Sequence, residues 1–85
     1  MTVRTTDKAK KMLKKLPKKI QEKAEKAFEN LANDPFHPAL NSKRMSGTPY
    51  FEARIDYHYR CIYSVVDDVI SIVAVGQHDE GLGKH

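Results

Sequence analysis

YFEARIDYHYRCIYSVVDDVISIVAVG, residues 50–76, sets the architecture, because its hydrophobic period is two and not the 3.6 of a helix. Phe51, Ala53 and Ile55 alternate with Glu52, Arg54 and Asp56, which predicts a strand with one buried face. After a break near Tyr57-His58, RCIYSVV (60–66) is a second β-prone run, and Asp67-Asp68 separates it from a third, VISIVAV (69–75). The three form an expected meander. The last is almost wholly apolar, so it is expected to be central or covered on both faces, and the tail QHDEGLGKH (77–85) to end the fold or fray.

Upstream of the strands the period changes. Residues 35–49, PFHPALNSKRMSGTP, show no clear period and carry three of the prolines, as a packed or functional loop would, with Lys43 and Arg44 near its end. Before it, Ile20, Ala24, Ala27, Phe28 and Leu31 make one stripe along KKIQEKAEKAFENLAN (18–33), which predicts an amphipathic helix. Ala9, Met12, Leu13 and Leu16 predict another over Asp7–Leu16, with Thr5, Thr6 or Asp7 as its N-cap. Leu16-Pro17 is the expected hinge, since proline lacks an amide donor yet suits the first turn of a new helix. TVRT (2–5) is a short β-prone start. The fold class is therefore α+β: a short N-terminal strand and an antiparallel two-helix hairpin packed on a three- to four-stranded, mainly antiparallel sheet.

Eighty-five residues can enclose one modest core, so residues 1–85 are expected to form a single domain. No run of about 18 apolar residues is present to span a membrane, and the basic N-terminus leads into no signal-like apolar segment. A cytoplasmic protein is expected. Cys61 is the only cysteine, which rules out an internal disulfide, and its apolar neighbours predict a buried thiol and not a nucleophile. His37, His58, His78 and His85 show no ligand spacing on one element, so neither metal nor cofactor is expected. Charge is lopsided: residues 1–33 hold ten Lys/Arg against four Asp/Glu, and residues 34–85 hold five against seven. The basic third could steer toward RNA or DNA, receive an acidic partner, or simply solubilise the helices.

In this setting LPKKIQEKAEKAFENLANDPFHPAL, RIDYHYRCIY and VAVGQHDE together resemble the RelE/ParE toxins of toxin-antitoxin systems, over nearly the whole chain. What the resemblance implies is a toxin restrained by a cognate antitoxin; for the free protein a monomer is the default expectation. RelE-like members cleave mRNA on the ribosome, whereas ParE-like members poison gyrase. The nuclease reading is preferred, with a gyrase inhibitor or a non-catalytic binding module as alternatives. By the same resemblance Arg54 and Arg60 would hold phosphate and offset transition-state charge without metal, and His78 would move a proton. Lys43 and Arg44 would contact RNA backbone and Tyr57 or His58 would stack on bases, with Tyr59 and Tyr63 left to the core. Two departures stand out. Glu52 lies where RelE has a second basic residue, and is either a general base or, as the favoured reading, a salt-bridge partner of Arg54. The tyrosine that many RNA-cleaving relatives carry after the last strand is missing.

Overall fold

The computed structural model describes residues 1–77. Its elements run β1 (Thr2–Thr5), α1 (Asp7–Lys14), α2 (Lys18–Asn33), a 3-10 turn (Pro38–Leu40), β2 (Lys43–Arg44), β3 (Phe51–Arg54), β4 (Tyr59–Val66) and β5 (Val69–Gln77). Five strands form one mixed sheet in the order β1-β5-β4-β3-β2. Strands β2 to β5 are antiparallel neighbours, and β1 lies parallel to β5 with Val3 opposite Ile70 and Thr5 opposite Ile72. The expected α+β architecture is the observed one, and β5 is indeed internal.

Capping chemistry sets the helix limits. Thr6 has extended backbone, and its Oγ1 accepts a hydrogen bond from the Ala9 amide at 3.2 Å. That satisfies one of the amides a helix start leaves open, and Asp7 in the first turn complements the helix dipole. α1 stops at Lys14, two residues short of the expected end, and Pro17 stands in extended backbone just before α2. The Gln21 side-chain amide donates to the carbonyls of Leu16 at 2.9 Å and Lys14 at 3.4 Å, closing the hinge. α2 covers the predicted residues.

Both helices lie on one face of the sheet, α1 against β5, and α2 against β1 and the 3-10 turn. The core between the layers takes Ala9, Ala27 and Leu31 from the helices, Leu40 from the turn, and Ala53, Cys61, Tyr63, Ile70, Ile72 and Val75 from the sheet. Two of the three helix residues in this core, Ala9 and Ala27, are small, which lets the helices approach the sheet closely. A register shift lies between Ile62 and Tyr63: Ile62 pairs with Ala74 but Tyr63 pairs with Ile72, leaving Val73 as an extra residue. This bulge reverses the alternation along β5, so Ile70, Ile72 and Val75 all reach the core. Together with its internal position, it explains the unbroken apolar run.

Two elements differ from expectation. Residues 35–49 are not a bare loop, because they contain the 3-10 turn and the edge strand β2. Pro38 opens the turn, and Asn41 closes it in the left-handed region (φ 50°), where asparagine is among the better tolerated residues. Tyr63, fully buried, donates its hydroxyl to the Pro35 carbonyl at 2.9 Å and lies 3.1 Å from Ser42 Oγ. Ser42 in turn donates to the same carbonyl at 3.0 Å. The segment is thus fastened to β4 at Pro35 and Ser42, and burial pushes the Tyr63 phenol above its ordinary range, keeping it a donor.

Candidate nucleic-acid interface

Because residues directly opposite in an antiparallel pair share a face, the register assembles a second surface, away from the helices. Arg54 pairs with Arg60, which pairs with Gly76; Glu52 pairs with Ile62, which pairs with Ala74; Lys43 pairs with Glu52. Ala53 and Cys61, the neighbours of these residues along the strands, point the other way into the core. The two arginines therefore stand side by side. Like charges directly opposite cost roughly 0.2–1 kcal/mol, an expense that an anion bound between them would reverse.

The two arginines are held differently. Arg54 is exposed, and its guanidinium carbon lies 5.9 Å from the centre of the Tyr57 ring, within reach of a cation–π attraction. Arg60 is half-buried and donates through Nη1 to the carbonyls of Asp56 at 2.7 Å, Tyr59 at 3.0 Å and Tyr57 at 3.2 Å. It gathers the carbonyls of the turn that joins β3 to β4, while its Nη2 and Nε make no hydrogen bond to a described residue. Asp56 completes the turn: one carboxylate oxygen accepts the His58 amide at 3.2 Å, and the other accepts Lys23 Nζ at 2.6 Å. The Lys23 bond, then the His58 amide, hold the Asp56 carboxyl below the usual carboxylate range. So fixed, the turn presents Tyr57, 72% exposed, with the exposed His58 ring edge-on to it at 4.8 Å.

Glu52 corrects two expectations. It shares a face with Arg54 as alternation requires, yet it is 6% exposed, and its neighbour across the β3–β4 pair, Ile62, is 5% exposed. Among the described residues it forms an ion pair with Lys43 across β2–β3, at 3.8 Å, and none with Arg54. Lys43 and Arg44 are both exposed but do not act together. Being consecutive in a strand they point to opposite faces, Lys43 beside Glu52 and Arg44 opposite Phe51, and Arg44 Nε donates to the Thr48 carbonyl at 3.3 Å. Cys61 is fully buried, with its thiol pushed up to about 12 by burial, and so is no nucleophile at neutral pH. His78 lies outside the described residues. No group of three His, Cys, Asp or Glu side chains among the described residues could hold a metal.

One part of the surface was not singled out from the sequence. Lys23 and Lys26 of α2 line a groove together with Arg54, which lies past the last β3 residue that β2 pairs with. Their signal was present in the lysine-rich helix, where a solvated face accounts for the same pattern.

A two-helix layer on a five-stranded mixed sheet matches the RelE/ParE-like class of toxin folds. A profile of the family described as the ParE toxin of the type II toxin-antitoxin system parDE matches residues 3–82. The chain belongs to this family, and so is the toxin of a toxin-antitoxin system. Among solved structures it is similar to a chain of the RelBE2 toxin-antitoxin complex from Mycobacterium tuberculosis, with 28% identity, 91% of this chain and 96% of that chain covered, and a TM-score of 0.75. It is also similar to a chain of the archaeal RelE-RelB complex from Pyrococcus horikoshii, at 26% identity, 93% and 96% coverage and a TM-score of 0.79. A chain of the intact E. coli RelBE complex shares the fold at 21% identity, 93% and 98% coverage and a TM-score of 0.74. A search of curated proteins found no match. Among the described residues, no helix is long and apolar enough to cross a membrane.

Proposed function

We propose that this toxin is a ribosome-dependent endoribonuclease that cuts mRNA, and that a cognate antitoxin restrains it. The observation that carries the reading is the Arg54–Arg60 pair, two cations set directly opposite each other on one face of the sheet. A phosphodiester between them receives charge-assisted hydrogen bonds from Arg54 and from the uncommitted edge of Arg60. In the reaction the 2′-hydroxyl oxygen attacks the adjacent phosphorus and the bond from phosphorus to the 5′-oxygen breaks. The products are a 2′,3′-cyclic phosphate and a 5′-hydroxyl end. The phosphorane gains negative charge on its equatorial oxygens, and arginines preorganised on a rigid sheet stabilise it more than they stabilise the ground state. We assign proton transfer to His78, which follows Gln77 at the end of β5; Glu52 is screened from solvent and serves the charge balance with Lys43. Tyr57 and His58 offer the flanking bases a stacking surface, and Lys43 the backbone a cation.

The antitoxin reading is supported by the relatives, which were solved as RelBE2 and RelE-RelB complexes. Arg54→Ala is the informative variant, since Arg54 makes no hydrogen bond or ion pair within the described residues whose loss would disturb the fold. Brief induction in bacteria is expected to give new, codon-phased cuts in translated messages for the wild type and none for Arg54→Ala. Unchanged cutting by Arg54→Ala would refute the assignment. A second reading, a gyrase inhibitor, is favoured by the match to the ParE family and by the commitment of Arg60 Nη1 to the turn. DNA breaks with intact messages would establish it instead.

A further inference from the structure

α2, the 3-10 turn and β3 meet in a groove of about 170 Å³. Its floor is apolar, with Ala27 4% and Leu40 1% exposed. Lys23, Lys26, Asn30 and Arg54 line it as well, and no carboxylate among the described residues does. Lys23 is already neutralised by Asp56 at 2.6 Å, whereas Lys26 and Arg54 have no ion pair among the described residues. Two uncompensated cations and a primary amide over an apolar floor suit an anion with a hydrocarbon face, which a phosphate joined to a sugar provides. An asparagine amide can both donate to and accept from a ribose hydroxyl. The groove opens beside Arg54, whose strand partner is Arg60, so a strand lying on the arginine pair is carried over the edge of β3 and onto α2.

We propose that this groove is a subsite for one phosphate-and-ribose unit of single-stranded RNA, adjacent to the unit held at Arg54 and Arg60. The assignment rests on the nuclease reading but concerns binding, so binding tests it separately. A short oligouridylate is titrated into the full-length toxin, into Lys26→Glu, and into Lys10→Glu, which makes the same charge change at an exposed α1 position away from the groove. At low salt Lys26→Glu is expected to weaken binding about tenfold, against less than about threefold for Lys10→Glu. The slope of log affinity against log salt should be shallower by about 0.7 for Lys26→Glu alone, the value of one single-strand phosphate contact. Amide shifts at Lys26 and Asn30 on adding the oligonucleotide should accompany it.

Equal weakening in the two variants would show only an effect of net charge and would overturn the subsite. Uridine 5′-monophosphate binding as tightly as the oligonucleotide would also overturn it, by making the ligand a free nucleotide. Message cleavage by the wild type with no Lys26-specific effect removes the subsite alone. Lys26-specific binding by a wild type that leaves messages intact on the ribosome removes the nuclease reading alone.

Discussion

Arg60→Ala separates two opposed effects whose sizes follow from the geometry. The substitution deletes the charge-assisted hydrogen bonds of the two Nη1 hydrogens, shared among three carbonyls of the β3–β4 turn at 2.7, 3.0 and 3.2 Å. One such bond is worth about 1.5–3 kcal/mol, and these share a single nitrogen and partly exposed acceptors that water can re-solvate. A net loss of about 1.5–2.5 kcal/mol follows. Against this, the substitution removes the repulsion from Arg54, worth roughly 0.2–1 kcal/mol. The clamp therefore outweighs the repulsion, and Arg60→Ala should be destabilised by about 1 kcal/mol. In a domain of this size that lowers the melting temperature by about 4–8 °C. Arg54→Ala relieves the same repulsion, loses no hydrogen bond and gives up only an exposed cation–π contact with Tyr57 of about the same size, so it should melt close to the wild-type temperature. Thermal unfolding by circular dichroism compares all three proteins in one buffer. An Arg60→Ala protein as stable as Arg54→Ala would refute the clamp and leave Arg60 as a phosphate ligand only.

Further outcomes follow from buried and paired groups. Tyr63→Phe should lower stability by about 1 kcal/mol, the small end of the range because Ser42 still donates to the Pro35 carbonyl, as chemical denaturation would report. The raised Tyr63 pKa makes its contribution complete below the unfolded value of about 10 and lost as pH climbs through the folded value, so Tyr63→Phe should flatten part of the alkaline unfolding limb. Asp56 has the opposite sign: its lowered pKa gives stability above the unfolded value of about 3.9 that fades as pH falls through the folded one. The stability gap between wild type and Asp56→Asn should therefore close as pH falls below about 4. Cys61 should react with a thiol reagent at neutral pH only as fast as the protein opens, so labelling should accelerate with denaturant; rapid labelling of the native protein would contradict its burial.

The helices were legible because each carries a long stripe at a 3.6-residue period, and the β3–β5 meander because alternation and the Asp67-Asp68 turn punctuate it. β2 was not legible. Two residues between irregular segments carry no period, and only the pairing of Lys43 with Glu52 makes them a strand. The parallel pairing of β1 with β5 is likewise a long-range fact, decided by where the helices return the chain. Strand alternation put Arg54 and Glu52 on the correct face, but it could not say that this face excludes water at Glu52, because burial there depends on contacts distant in sequence. The same limit applies to Arg60. Its pattern, YRCIY, announced a basic residue on a strand, whereas the bonds that hold it depend on how the turn folds back. Lys26 was hidden among lysines equally suited to a solvated face, until the edge of β3 set Arg54 beside it.

Purified toxin, translating ribosomes and a defined message test the central claim most directly, with the 3′ ends of the products examined chemically. The account predicts cuts in the message that depend on the ribosome, end in a 2′,3′-cyclic phosphate and disappear with Arg54→Ala. A message that stays whole under wild-type toxin, or cuts that persist in Arg54→Ala, would contradict it.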